Sequence, residues 1–410
     1  VTDEPQRGED APAAEPVPEQ GGPPSPASRL ALYQRAGGIV TPILTALIAF
    51  LAGGLIVLGT GKNPITTYKA IFLGTGLDWP FLALTGQDTT VAALNLQQTL
   101  LLTTPLILTG LAVAFAFRCG MFNIGGQGQY VVGSIMAVWV ASSLPDMPGL
   151  LRILVAIVAA ALMGALWAGI AGFLKATVGA HEVITTIMLN WIAYWGGSYL
   201  FGLGGPLQSS TEASVPVSND ILESSKLNVF WGDAQLQGLH VGFFVALLAL
   251  VAFWLVLNRT TLGYEVRAVG FNPEAARYGG ISVRRNYFLA MAISGLFAGL
   301  AGAMDVLGWE FRINVNDIQY STIGFIGIAV ALLGRNTALG TFLAALLFGA
   351  LVSGTSTRHL DPSVFRPDLA NNLTLMIQGL VVLFVGADVL ILYLWQVRKL
   401  GFGRKKVPAT

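Results

Sequence analysis

The chain has 410 residues, of which 54% are hydrophobic and only 11% charged, with a mean hydropathy of +0.66 and a net charge of +1. So little charge cannot cover a water-soluble protein of this size, and an all-α polytopic membrane protein is expected. The single cysteine, Cys119, excludes an intrachain disulfide and a cysteine-rich metal site.

Residues 1–28, "VTDEPQRGEDAPAAEPVPEQGGPPSPAS", are rich in Pro, Ala, Glu and Gly and hold almost no large apolar side chains. Such a stretch cannot bury enough surface to fold, so a disordered cytoplasmic tail is expected. It lacks the basic start and short apolar core of a cleaved signal peptide. Long apolar runs then predict about ten transmembrane helices, near 39–59, 98–117, 123–142, 151–174, 183–203, 240–257, 287–307, 319–334, 337–354 and 372–395. A basic cytoplasmic tail, 398–410, is expected after the transmembrane domain 29–397.

Charge placement orients these spans. With both termini cytoplasmic, sixteen of the 23 Lys and Arg fall inside and seven outside, and inversion reverses the bias. Two long loops, 60–97 and 204–239, then face outward. The longest inner loop, 258–286, carries five arginines and two glutamates. Within it Asn272 suits a helix cap, Pro273 a first turn, and Gly279-Gly280 a terminator.

Enzyme signatures fail on inspection. In "GTGKN" (59–63) Ile56 stands where a phosphate loop needs its first glycine, and Asn63 replaces the hydroxyl that holds magnesium. "HEVIT" (181–185) ends in Thr185, where a zinc helix needs a second histidine. "GGQG" lacks the third glycine and the βαβ setting of a dinucleotide fingerprint. No serine and acid join His181, His240 or His359 as a nucleophilic set. No cofactor, no metal and no catalytic residue are expected, and no nucleic-acid partner.

Polar groups inside the apolar spans are more informative. "FRCGMFNIGGQGQYVVGS" (117–134) sets Asn123, Gln127 and Gln129 among three glycines, each of which costs a helix about 1 kcal/mol relative to alanine. A loosened backbone at membrane depth is tolerated only against protein or a water-filled cavity. Asn123 and Gln127, four apart, are expected on one helical face. "HEVITTIMLNWIAYW" places Glu182, Thr186, Asn190 and Tyr194 along another. Both sets suit either helix–helix hydrogen bonding or a solute path lined by neutral donors and acceptors. "SGLFAGLAGA" (294–303) reads as close helix packing. Asp305 and Asp388 are intramembrane acids; Asp305, near the outer end of its span, is expected to be wet.

Together "FRCGMFNIGGQGQYVVGS", "HEVITTIMLNWIAYW" and "LGYEVRAVGFNPEAARYGGISVRRNYFLAMAISGLFAGLAGA" resemble ABC-importer permeases of the branched-chain amino acid and simple-sugar type, and within it the nucleoside-permease subgroup. The resemblance covers about 39–395. It implies a ten-helix core with inverted repeats in the bacterial cytoplasmic membrane. It also implies a second permease (self or paralogue), two cytoplasmic ATPase subunits and an extracytoplasmic solute-binding lipoprotein. "NPEAARYGGI" matches the segment that docks on the ATPase, with Glu274, Ala275, Ala276 and Gly280 at the matching positions. The expected function is ATP-driven import of a small neutral solute, nucleosides first, by alternating access along Asn123, Gln127, Gln129, Thr186, Asn190 and Tyr194. A branched-chain amino acid or sugar permease, or a secondary transporter or channel, is the alternative.

Overall fold

A computed structural model describes residues 43, 46–144, 146–233, 237–355, 372, 373, 375–380 and 383. The tail 1–28, most of the span expected at 372–395, the tail 398–410, His359 and Asp388 lie outside the described residues. The chain divides at Thr41, and everything below concerns the unit from Pro42 onward.

The described part is helical: α1 (Ala46–Gly59), α2 (Pro64–Thr75), α3 (Trp79–Thr85), α4 (Thr90–Arg118), α5 (Gly126–Ser143), α6 (Gly149–Val178), α7 (Glu182–Phe201), α8 (Gly242–Arg259), α9 (Thr261–Phe271), α10 (Pro273–Tyr278), α11 (Val283–Asp305), α12 (Val315–Tyr320), α13 (Ile323–Leu333) and α14 (Ala338–Gly354). One short antiparallel hairpin pairs β1 (Val229–Trp231) with β2 (Leu239–His240). Among the described residues five stretches are long and apolar enough to cross a bilayer: Thr90–Arg118, Gly149–Val178, Gly242–Arg259, Val283–Glu310 and Val315–Leu333. The bent pair α1–α2, folded through 120°, makes six if it counts as one span.

The apolar surface is turned outward. On α6, Leu151, Leu154, Val158, Leu162, Leu166 and Phe173 are exposed, while Ala156, Ala160, Gly164, Ala168 and Gly172 are buried. A helix with its large side chains outside and its small ones inside suits lipid and would aggregate in water. The small face packs tightly against α11. Gly295 lies against the Gly164 carbonyl, and Gly299 against the Ala160 carbonyl and the Gly133 backbone of α5. A methyl group at either position would overlap a neighbouring backbone, so 294–303 packs as its composition predicts. α4 runs through the centre, contacting α11, α13, α14 and α8, with Leu106 to Ala116 buried without interruption.

The segment 60–97 is not simply a loop. Asn63 accepts the Ile65 amide at 2.9 Å and Pro64 opens α2, whose 12 residues are too few to register as a span. The far end of α2 is held by α4: Asn95 donates to the Leu73 carbonyl at 3.0 Å, and Thr99 to the Thr75 carbonyl at 2.8 Å. These bonds satisfy carbonyls that a helix end leaves orphaned.

The connections sort to two ends. At one, Arg118, Cys119 and Gly120 meet α9, the start of α11 and the α13–α14 turn. At the other, residues 202–241 meet the ends of α5 and α11: Leu222 donates to the Ala141 carbonyl at 3.2 Å, Leu227 to that of Leu307 at 2.8 Å, and Val217 pairs with Asn314.

Candidate functional site

The loop between α4 and α5 and the first turn of α5 carry the amides that the sequence singles out. Asn123 is in this loop and not on a helix, because its Oδ1 accepts the Gly125 amide at 2.9 Å and turns the chain before α5 begins at Gly126. Asn123 and Gln127 therefore do not share a helical face, contrary to the expectation from their spacing. Asn123 pairs instead with Gln129. Asn123 Nδ2 donates to Gln129 Oε1 at 2.9 Å, and Gln129 Nε2 returns a bond to Asn123 Oδ1 at 3.0 Å. Asn123 Nδ2 also donates to Ser294 Oγ at 2.7 Å, and Ser294 donates to the Ala112 carbonyl of α4 at 2.5 Å. All of Asn123's hydrogen-bonding capacity is used inside the protein.

Asn190 joins this knot from α7. Its Oδ1 accepts the Gly128 amide at 2.8 Å and its Nδ2 donates to the Ile124 carbonyl at 3.0 Å. Asn190 thus caps α5 from a neighbouring helix, satisfying one of the amides that a helix start leaves free. Thr186, one turn earlier, lies against Gly125 and bonds back to the Glu182 carbonyl at 2.8 Å. Tyr194, one turn beyond Asn190, is half-buried, with its ring edge-on to Trp191 at 5.7 Å.

Gln127 points elsewhere. Its Oε1 accepts the Gly324 amide at 2.7 Å, in the first turn of α13, while its Nε2 is buried without a partner. Gln127 is fully buried, so this donor is the one uncommitted group of the three amides 123, 127 and 129. The structure therefore brings Asn123, Gln129, Thr186 and Asn190 together at the start of α5, sets Gln127 at the α5–α13 contact, and leaves Tyr194 toward the outer face of α7.

Charged groups frame this neutral centre. Glu182 pairs with Lys175 at 2.8 Å across the α6–α7 turn. Asp305 is buried, not wet: it accepts from the Tyr130 hydroxyl at 2.6 Å and from Trp309 Nε1 at 3.2 Å. Its partner Trp309 belongs to a π-helical turn, Val306–Glu310, that ends at Phe311 with φ +59°. The Asp305–Trp309 spacing is visible in sequence, whereas Tyr130 and Ser294 come from remote positions that no local pattern announces.

At the opposite end, α9 and α10 form a compact module. Thr260 accepts the Gly263 amide at 3.1 Å and Asn272 the Ala275 amide at 3.1 Å, so each helix has its own cap. Pro273 occupies the first turn of α10, and Gly280, with φ +80°, ends the segment. Of the four motif positions, Ala276 faces inward and Glu274, Ala275 and Gly280 face out, with Glu274 3.5 Å from Arg277. Phe271 and Tyr278 flank α10 and are 96% and 94% exposed. One bare aromatic ring thus closes α9 and another closes α10.

A helical membrane protein with a lipid-facing shell, a neutral polar centre between its helices and an aromatic-edged module at one end has the form of a membrane permease. Residues 95–386 match the family described as "branched-chain amino acid transport system / permease component", and the chain belongs to that family. The guanosine ABC transporter permease protein NupP of Bacillus subtilis is 37% identical over 87% of this chain and 95% of its own length. The nucleoside ABC transporter permease protein NupB of Lactococcus lactis is 33% identical over 86% and 92%. The glucose ABC transporter permease protein TsgB13 of Haloferax volcanii is 34% identical over 84% and 86%. No solved structure matches the chain. The protein is accordingly a permease component of an ABC transport system, as its three sequence motifs indicate.

Proposed function

We propose that this chain is the membrane-spanning subunit of an ATP-driven nucleoside importer. The observation that carries the proposal is the 37% identity to a guanosine permease along nearly its whole length. ATP is hydrolysed on two separate cytoplasmic ATPase subunits, solute arrives from an extracytoplasmic binding lipoprotein, and a second permease, identical or paralogous, completes the pore. The setting is the bacterial cytoplasmic membrane, with ten spans in two inverted repeats, both termini cytoplasmic, and 204–239 outside. The tails 1–28 and 398–410 flank the permease domain 29–397. The sixteen-to-seven basic bias supports this sidedness.

The solute path runs beside the start of α5, among Asn123, Gln127, Gln129, Thr186, Asn190 and Tyr194. Asn123, Gln129 and Asn190 spend their polar groups on one another and on the backbone. Gln127 holds the spare donor, and parting α5 from α13 frees its acceptor as well. A neutral amide suits a base edge or a sugar hydroxyl, since it donates and accepts without charge. Loop 258–286 meets the ATPase through α10, with Glu274, Ala275, Ala276 and Gly280 as the docking segment and Phe271 and Tyr278 as its apolar edges.

The glucose permease relative favours a second reading, a sugar importer. Uptake assays separate the two. Cells expressing the chain with its ATPase and binding protein are expected to take up labelled guanosine, with competition by other nucleosides and none by glucose or leucine. Competition by glucose alone would move the assignment to sugars.

A further inference from the structure

Three consecutive residues at the end of α4 touch three separate parts of the molecule. The Arg118 guanidinium donates twice to one acceptor, the Asn336 carbonyl, from Nε at 2.9 Å and Nη2 at 2.7 Å. Asn336 lies in the α13–α14 turn beside Arg335, and both are left-handed, with φ +53° and +51°. The left-handed conformation is unfavourable for a residue with a side chain, so this turn persists because its surroundings hold it. A rigid two-pronged clasp on its central carbonyl supplies such a hold.

Cys119 and Gly120 reach the opposite way. The Cys119 thiol donates to the Asn286 carbonyl at 3.7 Å, and Asn286 Nδ2 donates to Glu265 of α9 at 3.0 Å. Gly120, with φ +73°, lies backbone-to-backbone on Gly270, the α9 residue two positions before the Asn272 cap of α10. A Cβ on Gly270 would overlap the Arg118 carbonyl, so the contact admits no side chain. Three residues further along the same loop is Asn123, the centre of the amide knot.

We infer that residues 118–120 are the transmission element of the permease, with Arg118 as a positioning residue. A displacement of α9–α10 passes through the Gly270–Gly120 contact into the 119–125 loop and the amide knot. Through Arg118 the same displacement reaches the α13–α14 turn, so the starts of α5 and α14 move together and not separately. The physical basis is rigidity: the backbone-on-backbone packing has no side chain in series to absorb the motion, and the two-donor geometry fixes the Arg118 guanidinium on the turn. The inference rests on the reading that α10 meets the ATPase.

The test uses the whole transporter, reconstituted with its ATPase and binding protein, and measures solute moved per ATP hydrolysed. Membrane abundance, ATPase co-purification and basal ATP hydrolysis are followed in the same preparations. Arg118→Gln is expected to keep abundance, co-purification and basal hydrolysis, while solute moved per ATP falls about tenfold, within the range of coupling between linked sites. Arg118→Lys, which keeps the charge but loses the two-pronged geometry, should fall in between. Asn336→Gly keeps both the left-handed turn and the carbonyl and should stay within about twofold of wild type. Should Arg118→Gln fail to reach the membrane, Arg118→Lys carries the test. Wild-type solute per ATP in the variants that assemble would overturn the inference. So would a parallel loss of abundance and transport in all of them, which would make 118–120 a folding element only. Failure of the wild-type chain to co-purify an ATPase is a different result: it overturns the docking role of α10, and the inference with it.

Discussion

Replacing Asn123 by alanine removes four hydrogen bonds from a fully buried position. Ser294 keeps its bond to Ala112, but both ends of the Gln129 amide and the Gly125 amide lose their partner. Each buried polar group left alone costs about 1–3 kcal/mol, which bounds the loss at roughly 9 kcal/mol from above. Interhelical hydrogen bonds in membranes average only about 0.6 kcal/mol, because freed groups find other partners, which bounds it near 2 kcal/mol from below. A destabilisation of roughly 2–5 kcal/mol is expected for Asn123→Ala. Gln127→Ala differs, since it loses one bond to Gly324 but also removes an unsatisfied donor, and about 1 kcal/mol or less should result. The double variant Asn123→Ala/Gln129→Ala should cost clearly less than the sum of its parts, with a coupling of about 1–3 kcal/mol, because the second change deletes what the first orphans. Unfolding of the detergent-solubilised variants, with membrane abundance measured in parallel, reads all three. Equal stability for Asn123→Ala and wild type, or strict additivity in the pair, would refute the knot.

Further expectations follow from single features. Burial pushes the Cys119 thiol up to about 12, so its thiolate is negligible and maleimide at about pH 8 should label the native chain only after denaturation. In a Cys119→Ser background, a cysteine at the exposed Ala213 should react with a membrane-impermeant thiol reagent in whole cells, and one at Arg284 should not; the reverse pattern would invert the topology. Phe271→Ala and Tyr278→Ala should each weaken ATPase co-purification by about tenfold or more while leaving unfolding of the permease unchanged, as expected for bare aromatic anchors. Unchanged co-purification in both would remove the aromatic edges from the docking surface.

What the sequence made legible was what local rules govern. Apolar runs located the helices α4 to α8, α11, α13 and α14 among the described residues, and Asn272, Pro273 and Gly280 outlined α10 because caps and terminators act over a few residues. The start of α5 was misplaced because hydropathy does not see an Asn side chain closing a turn on Gly125. The helices α2 and α3 are hidden because, at 12 and 7 residues, each is too short to register as a span. The partners of the site residues were the least legible part. Ser294 lies 171 positions from Asn123, and Asp305 lies 175 from Tyr130, so only packing reveals that each pair meets.

If the permease moves nucleosides at the expense of ATP, guanosine accumulation depends on ATP hydrolysis. The chain is reconstituted in proteoliposomes with its ATPase and binding protein, and tritiated guanosine is followed with and without ATP on the ATPase side. Accumulation against the guanosine gradient should require ATP, should be abolished by an ATPase unable to hydrolyse it, and should be indifferent to a protonophore. Uptake that persists without the ATPase and collapses with the protonophore would contradict the account and make the protein a secondary transporter.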